Sequence, residues 1–134
     1  MNAAAPRVAR LRKALALHLQ MERLEAGRLA AFEQDVREAR VEAERIVGSL
    51  QQDAVIALGL SSMILERLRR AESRRREAER AAAAQAQTAR RQSRRVKQME
   101  RLIEKAEAVA EQQRALEALA DVAEFYGAAQ ISAP

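Results

Sequence analysis

Apolar residues recur along this chain at alternating spacings of three and four. The first run passes through Val8, Leu11, Leu15, His18, Glu22, Glu25, Leu29, Phe32, Val36, Ala39, Ala43, Ile46 and Leu50. A repeat of this kind predicts a helix whose seam faces another helix. From Leu29 to Leu50 the seam is apolar. Between His18 and Glu25 it is polar, and the apolar stripe is expected to step sideways onto Leu17, Met21 and Leu24, which would locally change the winding. A second run places Leu68, Ala71, Ala78, Ala82, Ala89, Val96, Met99, Ile103, Ala106 and Ala110 on one register, with Arg75, Gln85 and Gln92 interrupting it. Near its end Leu102, Val109, Leu116, Leu119, Val122 and Phe125 widen the apolar face.

Breakers set the expected boundaries. The two prolines are Pro6 and Pro134, so nothing between them forbids helix. Pro6 suits a first helical turn, and Gly127 suits a stop after Tyr126. Of the interior glycines only Gly59 sits in turn-like company, Gly59-Leu60-Ser61-Ser62, where either serine could cap a second helix. Gly48-Ser49 is the alternative break. The expected fold is all-α, a long antiparallel two-helix coiled-coil hairpin in a single domain over 1–134. Helix one is expected over about 7–58, the turn over 59–62, helix two over 63–126, and a short tail over 127–134.

Composition agrees with helix and thins the core. There are 31 alanines, aromatic residues make up 2%, and charged residues 32%. Ala, Glu, Arg and Leu at this level mark long helix or coiled coil. An Ala seam lets helices approach closely but buries little area, so at about 25 cal/mol per Å² it is weak. A two-helix rod encloses no concave pocket of the kind small ligands need. With no Cys there is no disulfide framework and no thiolate site. Met1 to Arg12 lacks the apolar region of a secretory signal. Ala54 to Leu65, the most apolar stretch, falls short of the roughly 20 residues of a membrane span. The expectation is a cytoplasmic, non-enzymatic protein without cofactor, metal or catalytic residues.

The order of charge points to the topology. Residues 1–31 carry a net +4, 32–54 a net −3, 55–65 none, 66–101 a net +8 and 102–134 a net −4. Folded back at Gly59, every block faces its opposite, and flanking charges of this kind select partner and orientation. A parallel homodimer would stack like charges. An antiparallel pairing between two chains would satisfy the same pattern as a monomeric hairpin.

Candidate chemistry is sparse. His18, Glu22 and Glu25 share one helix face, but bundle metal sites need further His and Glu ligands, so His18 reads as an ordinary seam residue. The basic run from Arg67 to Arg101, densest at Arg74, Arg75, Arg76, Arg90, Arg91, Arg94 and Arg95, could bind phosphates or form a solvated face. Its basic side chains fall all round the helix and no aromatics interleave with them for base stacking. That disfavours nucleic acid and favours a protein partner with an acidic surface. Val55, Ile56, Leu58, Leu60, Met63, Ile64 and Leu65 cluster at the expected tip, as a contact site, as local packing around the turn, or as a tip-to-tip dimer contact. Leu116, Leu119, Val122, Phe125 and Tyr126 form the other candidate contact face, or pack on Leu11, Leu15 and Leu17.

The end of the second helix carries a resemblance. Arg95-Val-Lys-Gln-Met-Glu-Arg-Leu-Ile-Glu-Lys, followed by the stretch from Glu111 through Leu116-Glu117 and Ala120-Asp121 to Ala123, gives a charged, Leu/Asp/Glu/Ala-patterned end. In this, and in its length and hairpin architecture, the chain resembles the FliJ family. These are flagellar type III export proteins related to the YscO-like stalks of injectisomes. The resemblance implies a rod in the centre of the hexameric export ATPase. It also implies contacts with the export gate and export chaperones, and a place at the inner face of the plasma membrane without a span. It transfers a role and no residue assignments. A helical export chaperone is the competing reading, disfavoured by a pI of about 10.6. A basic coiled-coil scaffold or nucleic-acid-binding protein is another.

Overall fold

The computed structural model describes residues 3–52 and 61–132. The protein is an all-α two-helix hairpin. Helix α1 spans Ala4–Gln52 and helix α2 spans Ser61–Ser132, with no strand among the described residues. The composition explains their length, because Ala, Arg, Leu, Glu and Gln are the strongest helix formers. Pro6 lies in the first turn of α1, where its missing N–H has no intrahelical partner to lose.

The boundaries can be compared with expectation at three points. The alternative break at Gly48-Ser49 does not occur, and α1 runs through both residues. Ser61 and Ser62 belong to α2 rather than to a turn, while the rest of the expected turn lies outside the described residues. At the other end α2 passes through Gly127 to Ser132, so the expected tail from 127 is helical. Ala128 and Ala129, both helix formers, continue the helix past this single glycine.

The chain divides into two compact units, Met1–Gln20 with Arg94–Pro134, and Met21–Ser93. In the first, Ala4 and Val8 of α1 pack with Ala106 and Ala110 of α2, and Leu11 covers the cluster. Val96 and Ile103 are also buried. An ion pair between Arg12 and Glu107 joins the two helices beside it.

In Met21–Ser93 the buried residues are Val36, Ala39, Ala43, Ala71 and Gln92. Leu29, Phe32, Ile46, Leu50, Leu68, Ala78, Ala82 and Ala89 are half-buried in the same seam. Cross-helix bonds show the antiparallel pairing. Glu25 meets Gln85, Arg40 meets Glu79, and Glu42 meets Arg74, so rising positions on α1 pair with falling positions on α2. Arg40–Glu79 reverses the charge sense of Glu42–Arg74, so the helices are matched residue by residue and not merely block to block.

The seam does not step sideways. Leu17 and Leu24 are 59% and 54% exposed and Met21 is exposed too, whereas His18, Glu22 and Glu25 hold half-buried positions. The reason is visible at Glu25. The amide of Gln85 donates to the Glu25 carboxylate at 2.5 Å and to its backbone carbonyl at 3.1 Å. Arg28 also donates to that carboxylate at 3.0 Å. A polar seam position with its hydrogen bonds met can keep the register that apolar packing sets on either side.

Candidate contact surfaces

Three groups of side chains stand out, the first two each within one unit. The first is the end of α2. Ala110 packs with Ala4 and Val8, the start of α1. Among the described residues, α1 offers nothing opposite the turns of α2 that follow. Leu116, Leu119, Val122, Phe125 and Tyr126 are accordingly exposed, with Phe125 reaching 72%. Packing on Leu11, Leu15 and Leu17 does not occur, because the register spends Leu11 on the Ala4 cluster and leaves Leu17 in solvent. The two aromatic rings meet edge to face, centroids 6.1 Å apart.

This segment is amphipathic on its own. At 100° per residue, Leu116, Leu119, Tyr126 and Val122 cover an arc of roughly 120°, with Phe125 about 60° beyond Val122 and beside Asp121. Glu117, Asp121 and Glu124, spaced four and three apart, lie on the opposite side. One turn before it, Leu102 and Val109 line a shallow groove with Ala4, Arg7, Lys105 and Gln113. The Gln113 Oε1 atom is buried there without a hydrogen-bond partner among the described residues. Buried polar atoms in this state are uncommon.

The second surface is the start of α2. Met63 and Leu65 are exposed and Ile64 is half-buried. Val55, Ile56, Leu58 and Leu60 lie outside the described residues.

The third is the arginine run, which the structure sorts into two groups. Arg74 pairs with Glu42 at 2.7 Å, Arg75 with Glu72 at 2.7 Å and Glu79 at 3.1 Å, and Arg70 with Glu66 at 3.4 Å. Arg74 and Arg75 flank the seam, while the Arg70–Glu66 pair is exposed. Arg76, Arg90 and Arg91 stand exposed in the same unit, and Arg94 and Arg95 in the other. The expected basic patch is therefore not uniform, since Arg74 and Arg75 are spent on carboxylates.

Glu79 is the most engaged of those carboxylates. The hydrogen bond from Arg40 holds it below the ordinary glutamate range, Arg75 adds to this, and partial desolvation opposes it. Arg75 is held above its already high value, first by the hydrogen bond to Glu72 and then by the charges of Glu72 and Glu79. A carboxylate with a depressed folded pKa contributes stability above its unfolded pKa, about 4.3, and loses it as pH falls through the folded value. Thermal melts between pH 6 and pH 3 are therefore expected to show Met21–Ser93 weakening on the acid side. Glu79→Gln is expected to be less stable than the parent at pH 6 and to converge with it at pH 3. A constant difference across that range would contradict the assignment.

Among the described residues no group of three His, Cys, Asp or Glu could hold a metal ion, and no helix is long and apolar enough to cross a membrane. No family model, curated protein or solved structure matches the chain.

Proposed function

We propose that the chain is a non-enzymatic coiled-coil component of the flagellar or type III protein export apparatus. It acts as a stalk that binds the export ATPase ring in the cytoplasm and couples it to the export gate and chaperones. The observation that carries this reading is the helical segment from Leu116 to Tyr126, which leaves its apolar arc without a partner on α1. A contiguous apolar arc edged by charge is the ordinary anatomy of a protein contact, and aromatic residues supply much of the binding energy at such contacts. A helical hairpin needs no chemistry of its own to act on a ring. Unequal contacts with the subunits bias their conformations, and coupling of this kind is typically about 1–3 kcal/mol.

The resemblance of the second helix to the FliJ family supplies the identity of the ring. The test is a binding titration against the purified export ATPase hexamer with Leu119, Val122 and Phe125 changed together to Ala. Loss of three exposed anchors is expected to weaken binding at least tenfold. Helicity and melting should remain unchanged, because substitutions at exposed helix positions fall within about 0.5 kcal/mol. Binding equal to the parent's would remove the surface from the reading. No binding by the parent chain would remove the reading itself.

A further inference from the structure

Four of the arginines of α2 that pair with no carboxylate among the described residues lie on one face, while Arg67 and Arg90, also exposed, lie outside it. Arg69, Arg76, Arg80 and Arg91 are exposed, and among the described residues none of them makes an ion pair. At 100° per residue these four, with Ser73 and Gln87, fall within a strip about 60° wide. The seam residues Ala71, Ala78, Ala82 and Ala89 lie on the opposite side of the helix. No acidic residue occupies the strip, although Met21–Ser93 as a whole is close to balanced, with 14 basic and 12 acidic residues. The row is thus a product of arrangement. Glu72 and Glu79 stand three and four residues from the seam-side Arg75 and hold it, and Glu66 holds Arg70 on the flank. A shallow depression lined by Arg69, Ser73, Arg76 and Arg80 follows that line.

We propose that this row is a sequence-independent binding surface for the phosphate backbone of duplex nucleic acid. Four points favour that partner. Guanidinium groups match phosphate oxygens in pairs, and Ser and Gln are further phosphate-contacting types. From Arg69 to Arg91 the row measures about 33 Å at 1.5 Å per residue, close to the roughly 34 Å turn of a duplex. The strip holds no aromatic residue, so it offers no platform for the stacked bases of a single strand. It also holds no large apolar residue. A protein interface would need an apolar anchor there, and an interfacial membrane helix would need an apolar face, which in α2 is spent on the seam. The proposal is independent of the export reading, which rests on the other unit.

The test is fluorescence anisotropy of two unrelated 30-bp duplexes titrated with the full chain between 50 and 200 mM KCl. Both duplexes are expected to bind alike. The affinity is expected to fall roughly a hundredfold over that range, as four neutralised phosphates require. Changing Arg69, Arg76, Arg80 and Arg91 to Gln should reduce the salt slope by about four and the low-salt affinity by at least a hundredfold. The same four changed to Lys keep the charge and should keep the slope, which separates charge from folding. A control removing Arg7, Arg10, Lys13 and Arg23 lowers the net charge equally and should bind within a few-fold of the parent. Absence of binding at 50 mM salt would overturn the proposal. So would equal loss in the control, or tighter binding to vesicles with 30% phosphatidylserine than to duplex.

Discussion

Ala39→Asp is expected to cost the Met21–Ser93 unit about 2–4 kcal/mol, because it puts a charge where a methyl group now sits between two helices. Ala39 is 1% exposed, the most buried residue of the core. For a unit of this size the loss corresponds to a fall in Tm on the order of 10–20 °C, readable by circular dichroism. Val41→Asp, two positions away, is the contrast. Val41 is larger and more hydrophobic than Ala39, yet it is 52% exposed, and its replacement is expected to change stability by less than about 0.5 kcal/mol. Equal effects at the two positions would mean that the seam is not where the structure places it. Hydrophobicity alone would rank the two the other way. Position on the helix decides, since only the seam face loses its water.

Replacing Glu25 and Gln85 together by Leu is expected to raise the stability of the same unit by about 1–2 kcal/mol. The pair occupies a half-buried seam position, and exchanging both partners of a buried polar contact for apolar groups is neutral or stabilising. Each single change should behave differently. Gln85→Leu removes a donor and leaves the Glu25 carboxylate to Arg28 alone, at a cost of about 1 kcal/mol. Glu25→Leu leaves the Gln85 amide its second acceptor, the backbone carbonyl of residue 25, and should be milder. A double-mutant cycle by thermal melting measures this coupling. Additive single effects would show that the two side chains do not interact. Retention of a polar pair in a seam that apolar residues would hold more tightly is consistent with its fixing register, the best attested use of such groups.

Most of the seam was legible in the sequence. Every α1 position of the first run, from Val8 to Leu50, is buried or half-buried, and so is every α2 position from Leu68 to Ala110. The 3-4 spacing carries that information because a helix turns by a fixed angle per residue. What it could not carry is the response of the opposite helix. His18, Glu22 and Glu25 looked like a fault in the stripe, and Leu17, Met21 and Leu24 like its continuation. Gln85, sixty residues away in the chain, answers Glu25 and keeps the polar register in place.

The candidate surfaces were legible in part for the same reason. Leu116 to Tyr126 could be recognised as apolar, but whether α1 covered them depended on the register that sets Ala4 against Ala106 and Ala110. The arginines looked scattered round α2 because all of them were counted. Pairing with Glu42, Glu72 and Glu79 withdraws Arg74 and Arg75, and among the arginines left four share one outward strip while Arg67 and Arg90 do not.

The export reading is tested most directly by ATP hydrolysis. The rate of the flagellar export ATPase of the same organism is measured with and without this chain at stoichiometric ratio, and ring formation is followed by sedimentation. Stimulation accompanied by assembly of the hexamer is the expected result. An unchanged rate, with the two proteins sedimenting separately, would contradict it.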